Sequence, residues 1–260
     1  LENLDSYPVL IPTDNNMPNF YKLIDRAVQD KLTFIADPIL DPISYGFTKS
    51  IERYIYLREK YPDIHIMIGI GNITELTHAD TSGMNMIMLG IVEELKLNHI
   101  LTTQVSRHCS TVIRETDLAR RIIHAASENN ITPKHINNGL LINHGHKDYA
   151  YTSDELSDMK SNIKDKNYRI YVNDDGVHLF NKTIYKVFSD PYDFYEFLEV
   201  DEDSGHSFYL GVELARAQIA YQLRKEYSQD EELDWGCLID KKADNKLQSK
   251  ELGPTFKKRK

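Results

Sequence analysis

The sequence predicts an α/β fold in its first half and a smaller, separate α+β unit in its second. Three observations lead there. Apolar stretches at 7–11, 32–36, 64–70 and 100–105 have strand length and run nearly unbroken, as strands covered on both faces do. Amphipathic helical patterns near 18–30, 49–60, 83–97 and 110–129 follow them in turn, the spacing of βα units around a parallel sheet. After Thr132-Pro133 the alternation stops and a polar, turn-rich connector begins.

Each of the four strands runs into polar or turn-forming residues: Pro12-Thr13-Asp14, Asp37-Pro38, Gly71-Asn72, and Gln104 with Ser106-Arg107. Ligands of parallel α/β folds gather at the carboxyl ends of strands, so chemistry is expected in these four places. Four βα units form either a small open doubly wound sheet or half of an eight-stranded barrel. A half-barrel has two raw edges and needs a partner half, from the same gene product or another chain. Periodicity leaves both arrangements open.

In the second half, Asn137-Asn138-Gly139 and Asn143-His144-Gly145-His146 mark turns. Thr152-Ser153-Asp154-Glu155 fits a capping box, Thr152 accepting an amide bond and Glu155 reaching back. The stretches 168–172 and 177–180 flank Asn173-Asp174-Asp175-Gly176 as a hairpin, and 184–188 adds a third strand. Asp190-Pro191 opens a helix as cap and first-turn proline. A longer helix runs from about Phe208 to Tyr227, with Val212, Ala215, Ile219 and Leu223 on its apolar stripe. Glu213 and Arg216 pair at one-turn spacing. The expected domains are 1–132, 133–240, and a polar, lysine-rich tail at 241–260 that reads as disordered.

Composition narrows the function classes. With 260 residues, 41% hydrophobic and 27% charged, the chain can bury a sizeable core. A formal net charge of -9 argues against general nucleic-acid or anionic-membrane binding, because phosphates are repelled. No apolar run approaches the roughly 20 residues a bilayer span needs. Leu1-Glu2-Asn3 begins no signal peptide, and the start without Met reads as a piece of something longer. Cys109 and Cys237 are the only cysteines, so a disulfide framework is excluded and a reducing cytoplasm is the expected compartment.

Asp37 is the first candidate. A carboxylate at the end of a buried strand is costly unless paired or hydrogen-bonded, and it suits a ligand edge with adjacent N–H donors. It also suits a cap on the Asp-Pro turn. Asp41 lies in the same loop, and Phe47 is placed either at the mouth of a site or in ordinary packing. The carboxamide of Asn72 offers a donor and an acceptor without charge, or a helix cap; Gly69 and Gly71 leave room for close approach. Arg107, with Ser106 and Ser110 at a helix start, can hold an anion. Arg114, Glu115 and Asp117 read as surface pairs. Glu75, His78 and Asp80 do not share one helical face, and neither HExxH nor a cysteine cluster is present, so no metal ligands are assigned. Gly69-x-Gly71 does not continue into a dinucleotide fingerprint. Tyr227, Gln229, Asp230 and Trp235 form either a recognition edge or packing.

The stretch "IADPILDPISYGFTKS" resembles the Asp-Pro-Gly-rich strand-loop of the pterin-binding barrel family, which contains dihydropteroate synthases and methyltetrahydrofolate-dependent methyltransferases. "GIGNITELTHADTSGMN", "LTTQVS", "DLARR" and the late "FYLGVELARAQIA" and "YSQDEELDWG" resemble successive signatures of the archaeal dihydropteroate synthase-related proteins, over about residues 7–239. The resemblance implies that the first domain is the C-terminal half of a (β/α)8 TIM barrel of four βα units, followed by a small α+β domain. It implies that Asp37 binds the 2-amino and ring N–H edge of a pterin. Synthases carry a Ser-Arg-Lys run where this chain has Asn72; Asn72 and Asn85 resemble instead the asparagine pair of the methyltransferase branch. The synthase Arg-x-His anion grip is approximated by Gln104, Arg107 and His108.

The implied activity is a transfer that condenses a pterin diphosphate with an arylamine in tetrahydromethanopterin or folate-type one-carbon metabolism. Asp37, Asp41, Phe47, Asn72, Asn85, Gln104 and Arg107 form the implied binding set. Within it Asn72 and Arg107 carry the catalytic roles, and Mg2+ accompanies the diphosphate. The alternatives are a methyl-tetrahydropterin-dependent methyltransferase and a non-catalytic pterin-binding or assembly subunit. Implied partners are the pterin and arylamine, the N-terminal barrel half or a second subunit, and further copies of the chain in a homo-oligomer.

Overall fold

A computed structural model of the chain describes residues 7–13, 16–200 and 202–239. Asp14 and the tail at 241–260 lie outside the described residues. The chain divides into two compact units, Leu1–Leu140 and Leu141–Lys260. The division comes after Leu140 rather than at Thr132, because Leu140 still packs against the first core.

In the first unit, β1 (Val9–Leu10), β2 (Ile35–Ala36), β3 (His65–Gly69) and β4 (His99–Leu101) form one sheet in sequence order. Every neighbouring pair is parallel. The helices α1 (Met17–Gln29), α2 (Phe47–Lys60), α4 (Thr81–Glu94) and α5 (Val112–Glu128) follow the strands, with a single short turn, α3 (Gly71–Thr74), directly after β3. The four βα units are present, and the strand order never reverses. The strands are shorter than their apolar runs. β4 stops at Leu101 because the chain beyond it turns to place Thr103, Val105 and Ser106 on the carboxylate of Glu75.

The two faces of this sheet differ. Successive strand residues point to opposite sides. Ala36, Ile66 and Ile68, all 0% exposed, share one core with Phe20 and Ile24 of α1, Tyr54 and Leu57 of α2, and Met88 and Leu89 of α4. The register sets Val9, Ile35 and His65 in one row on the other side, with Met67 beside His99 and Gly69 beside Leu101. There Val9 is 42% and Leu101 53% exposed, while Ile35 and Met67 are half-buried. The apolar runs predict burial on both faces; the structure covers only one. At the amino end of the strands, Arg58 of α2 donates to the carbonyls of Leu95 and Lys96, filling acceptors that α4 leaves open at its C-terminus.

The second unit carries an antiparallel sheet, β5 (Arg169–Asn173), β6 (Gly176–Phe180) and β7 (Tyr185–Phe188), in that order. Asn173 pairs with Gly176 across a two-residue loop. α6 (Ser153–Ser161) opens with the expected Thr152–Glu155 capping box. Pro191–Phe197 is a 3-10 helix, not an α-helix, with Asp190 accepting from the Tyr192 amide. α7 (Ser204–Leu223) starts earlier and ends earlier than its pattern suggests, because Asp203 caps it through the His206 amide and Arg224 turns left-handed. Its buried stripe is Tyr209, Leu210, Glu213, Leu214, Ala217 and Ala220, while Ala215 is exposed. Apolar residues lie all round this helix, so periodicity admits more than one stripe. The sheet takes the side whose small alanines permit close packing. Glu213 is tolerated inside because Arg216 (2.7 Å) and the Tyr227 hydroxyl (2.8 Å) both donate to it. No helix among the described residues is long and apolar enough to cross a membrane.

Candidate ligand-binding site

β2 delivers Asp37 into a braced loop. The side chain is 8% exposed, and its Oδ1 accepts from the Ile39 amide (2.8 Å) and the Tyr54 hydroxyl (2.9 Å). Among the described residues Oδ2 accepts no hydrogen bond. Burial pushes the carboxyl pKa upward, against the two bonds that favour the charged form. One oxygen therefore caps the turn and the other stays available. Ile39 adopts φ 62, a left-handed conformation that a β-branched side chain disfavours. Three groups hold it there. Arg53 donates to the Ile39 carbonyl (2.6 Å) and to Asp41 (2.7 Å), Asn72 donates to the Leu40 carbonyl (2.7 Å), and the Asp41 amide donates to Ser50 (3.1 Å).

The expected set divides on this frame. Asp41 is spent on Arg53 in a pair only 18% and 15% exposed, so its carboxylate closes the loop rather than facing a ligand. Phe47 packs half-buried against the core. Asn72 is exposed; its amide nitrogen is committed to Leu40, and among the described residues its Oδ1 has no partner. The loop thus links two open acceptors, Asp37 Oδ2 and Asn72 Oδ1, at the carboxyl ends of adjacent strands. Gly71 lets the neighbouring strand end approach, since a Cβ there would lie 3.1 Å from Thr103 Oγ1.

Asn85 does not join them. It is 0% exposed, donates to Glu115 Oε2 (2.8 Å) and accepts from Thr116 (3.4 Å). Glu115, expected on the surface, is 2% exposed and also accepts from Thr81 and Thr111, each at 2.7 Å. These groups knit α4 to α5. The signal for Glu115 was in the sequence, because it shares a helical stripe with Val112, Ala119, Ile122 and Ala126. Asp117 does form its surface pairs, with Arg120 and Arg121.

The expected anion site after β4 is filled from within. Glu75 accepts from the Val105 and Ser106 amides, each at 2.8 Å, and from the Thr103 hydroxyl at 3.0 Å. The Val105 amide above all lowers its pKa to about 2. Gln104 is exposed and donates to the Ser110 carbonyl (2.9 Å), bracing the same turn. Arg107 is exposed and makes no ion pair among the described residues. His108 and Cys109 both reach the Thr74 carbonyl, at 3.0 and 3.3 Å, and so form no dyad. Burial, then the charge of Glu75, pushes the Cys109 thiol up to about 11, the opposite of an activated nucleophile. No group of three or more His, Cys, Asp or Glu side chains that could hold a metal ion occurs among the described residues.

In the second unit, Gln229 pairs with the edge of β5, accepting from the Ile170 amide (3.0 Å) and donating to the Tyr168 carbonyl (3.3 Å). With Tyr227 on Glu213 and Trp235 under the Lys225 ammonium (4.6 Å), this set serves packing within the unit.

No family model matches the chain. Over 241 residues it is 30% identical to an uncharacterized protein of the archaeon Methanocaldococcus jannaschii, covering 83% of this chain and 45% of that relative. The chain thus spans less than half the length of the relative it matches.

Proposed function

We propose that the first unit is the C-terminal half of a pterin-binding (β/α)8 barrel and that Asp37 is its ligand acceptor. One observation carries the reading: a buried strand-end carboxylate keeps one oxygen open in a strained loop fixed from three directions, and that loop is tied to Asn72, whose own side-chain oxygen is open. Open acceptors at two adjacent strand ends suit the N–H donors of a 2-amino pterin edge. The barrel half is supported by four parallel strands in unreversed order, with helices on one face and a half-exposed face opposite that is apolar except for the bonded pair His65 and His99. Parallel sheets are ordinarily covered on both sides, so that face calls for a further barrel half.

As a synthase-like transferase, the protein would hold the pterin diphosphate at Asp37 and Asn72 and meet the leaving anion with Arg107. Mg2+, carried by the diphosphate, would neutralise charge there. A second reading, methyl transfer or pterin binding without catalysis, is favoured by Glu75, which occupies the amides that would grip a leaving anion. Calorimetric titration of the intact protein with a reduced pterin, its hydroxymethyl diphosphate and a methylated tetrahydropterin separates these readings. Diphosphate binding with turnover on arylamine supports the synthase, and preference for the methylated ligand supports the alternative. No binding of any of the three would sink the pterin reading.

A further inference from the structure

α7 ends in a way that its sequence does not need. The residue after a helix that turns left-handed is usually glycine, which has no Cβ to clash. Here it is Arg224, at φ 52 and ψ 40. Its backbone is held on both sides. The Gly145 amide donates to the Arg224 carbonyl (3.2 Å), and a Cβ on Gly145 would lie 2.2 Å from that oxygen. The next residue, Lys225, is 3% exposed and donates to the carbonyls of Ile142 and Asp234, each at 2.6 Å.

The Arg224 side chain lines a cleft of about 250 Å3 with Tyr149, Asp174, Tyr221 and Gln222. Asp174 comes from the loop between β5 and β6, and the rest from the end of α7 and the segment before α6. Among the described residues neither Asp174 nor Arg224 forms a side-chain ion pair or hydrogen bond. Both charges nevertheless act on the Tyr149 phenol, whose pKa is raised first by burial and then by Asp174, and lowered by Arg224. The cleft therefore sets one uncommitted anion and one uncommitted cation around two phenol rings.

We propose that this cleft binds a small zwitterion of the α-amino-acid class, its carboxylate on Arg224 and its ammonium on Asp174 between the tyrosines. A guanidinium matches a carboxylate in two-point geometry, and aromatic faces beside a carboxylate favour an ammonium. A neutral pair of lining charges selects a ligand carrying both signs over one carrying either alone. The site lies wholly within the second unit and does not depend on the pterin reading.

The test is calorimetry and thermal shift on the full chain with each of the common L-amino acids, with acetate and ethylammonium as half-ligand controls. At least one amino acid should give a saturable response that neither half-ligand gives at the same concentration. Arg224→Gly keeps the left-handed backbone without its strain, so it should fold at least as stably as the wild type while binding at least tenfold more weakly. Asp174→Asn should weaken binding by a similar factor. No response to any amino acid, an equal response to a half-ligand, or binding that survives in either variant would overturn the proposal.

Discussion

The two faces of the four-stranded sheet have the same strands, the same register and opposite fates. On one, Ile66 and Ile68 are sealed beneath four helices; on the other, Met67 and Ile35 are half-buried and Leu101 is 53% exposed. Alternation alone explains the geometry, since neighbouring residues point to opposite sides. It does not explain why the uncovered side, apart from His65 and His99, is also apolar. Solvated sheet faces are normally polar, as in antiparallel hairpins with one wet side. On the proposed half-barrel reading this open face is an inner wall, and the carboxyl ends that border it carry Asp37 and Asn72.

The contrast predicts unequal responses to mutation. Ile68→Ala should cost about 3 kcal/mol in a denaturant titration, through lost burial and the cavity left behind. A value near zero would mean that the sealed face is no core. Asp37→Asn keeps an oxygen for Tyr54 and Ile39, so the fold should survive. Reduced-pterin affinity should fall roughly tenfold to a hundredfold, the worth of a charged hydrogen bond. Tyr54→Phe removes one donor to Asp37 and should cost about 1 kcal/mol. Met67→Ala, one residue from Ile68 on the open face, should cost less than about 1 kcal/mol in this chain. A cost matching that of Ile68→Ala would erase the distinction between the faces.

Acid titration sharpens the comparison at the strand ends, with the smallest effects. Glu75 has its folded pKa lowered to about 2 from 4.5, so its contribution is fully present above pH 4.5 and is lost as pH falls towards 2. Asp37 has a raised folded pKa, so its contribution is present below 3.8 and is lost as pH rises through that folded value. Denaturation midpoints followed against pH should lose the acid limb in Glu75→Gln and the opposite limb in Asp37→Asn.

Much of this was legible in the sequence where local chemistry decides. The four βα units followed from alternating apolar runs and helical patterns, and the Thr152–Glu155 box and the β5–β6 hairpin from their own residues. Asp37 stood out because a strand-end carboxylate before proline must be satisfied by something. What was not legible depended on contacts distant in sequence. Glu75 meets the Val105 and Ser106 amides about thirty positions away, and nothing near Glu75 announces them. Asn85 enters the binding set only through its resemblance to the asparagine pair of the methyltransferase branch, and its burial against Glu115 depends on a contact thirty positions away. The stripe of α7 was misplaced because a helix apolar all round lets the sheet choose. The open face escaped because a run of apolar residues looks alike whether one side or two are covered.

The most direct test is calorimetric titration of the intact wild-type protein and Asp37→Asn with a reduced pterin, with the melting of both checked in parallel. Saturable binding by the wild type, at least tenfold weaker in a variant that melts normally, is the predicted result. Absence of wild-type binding, or equal binding by both proteins, would contradict the account.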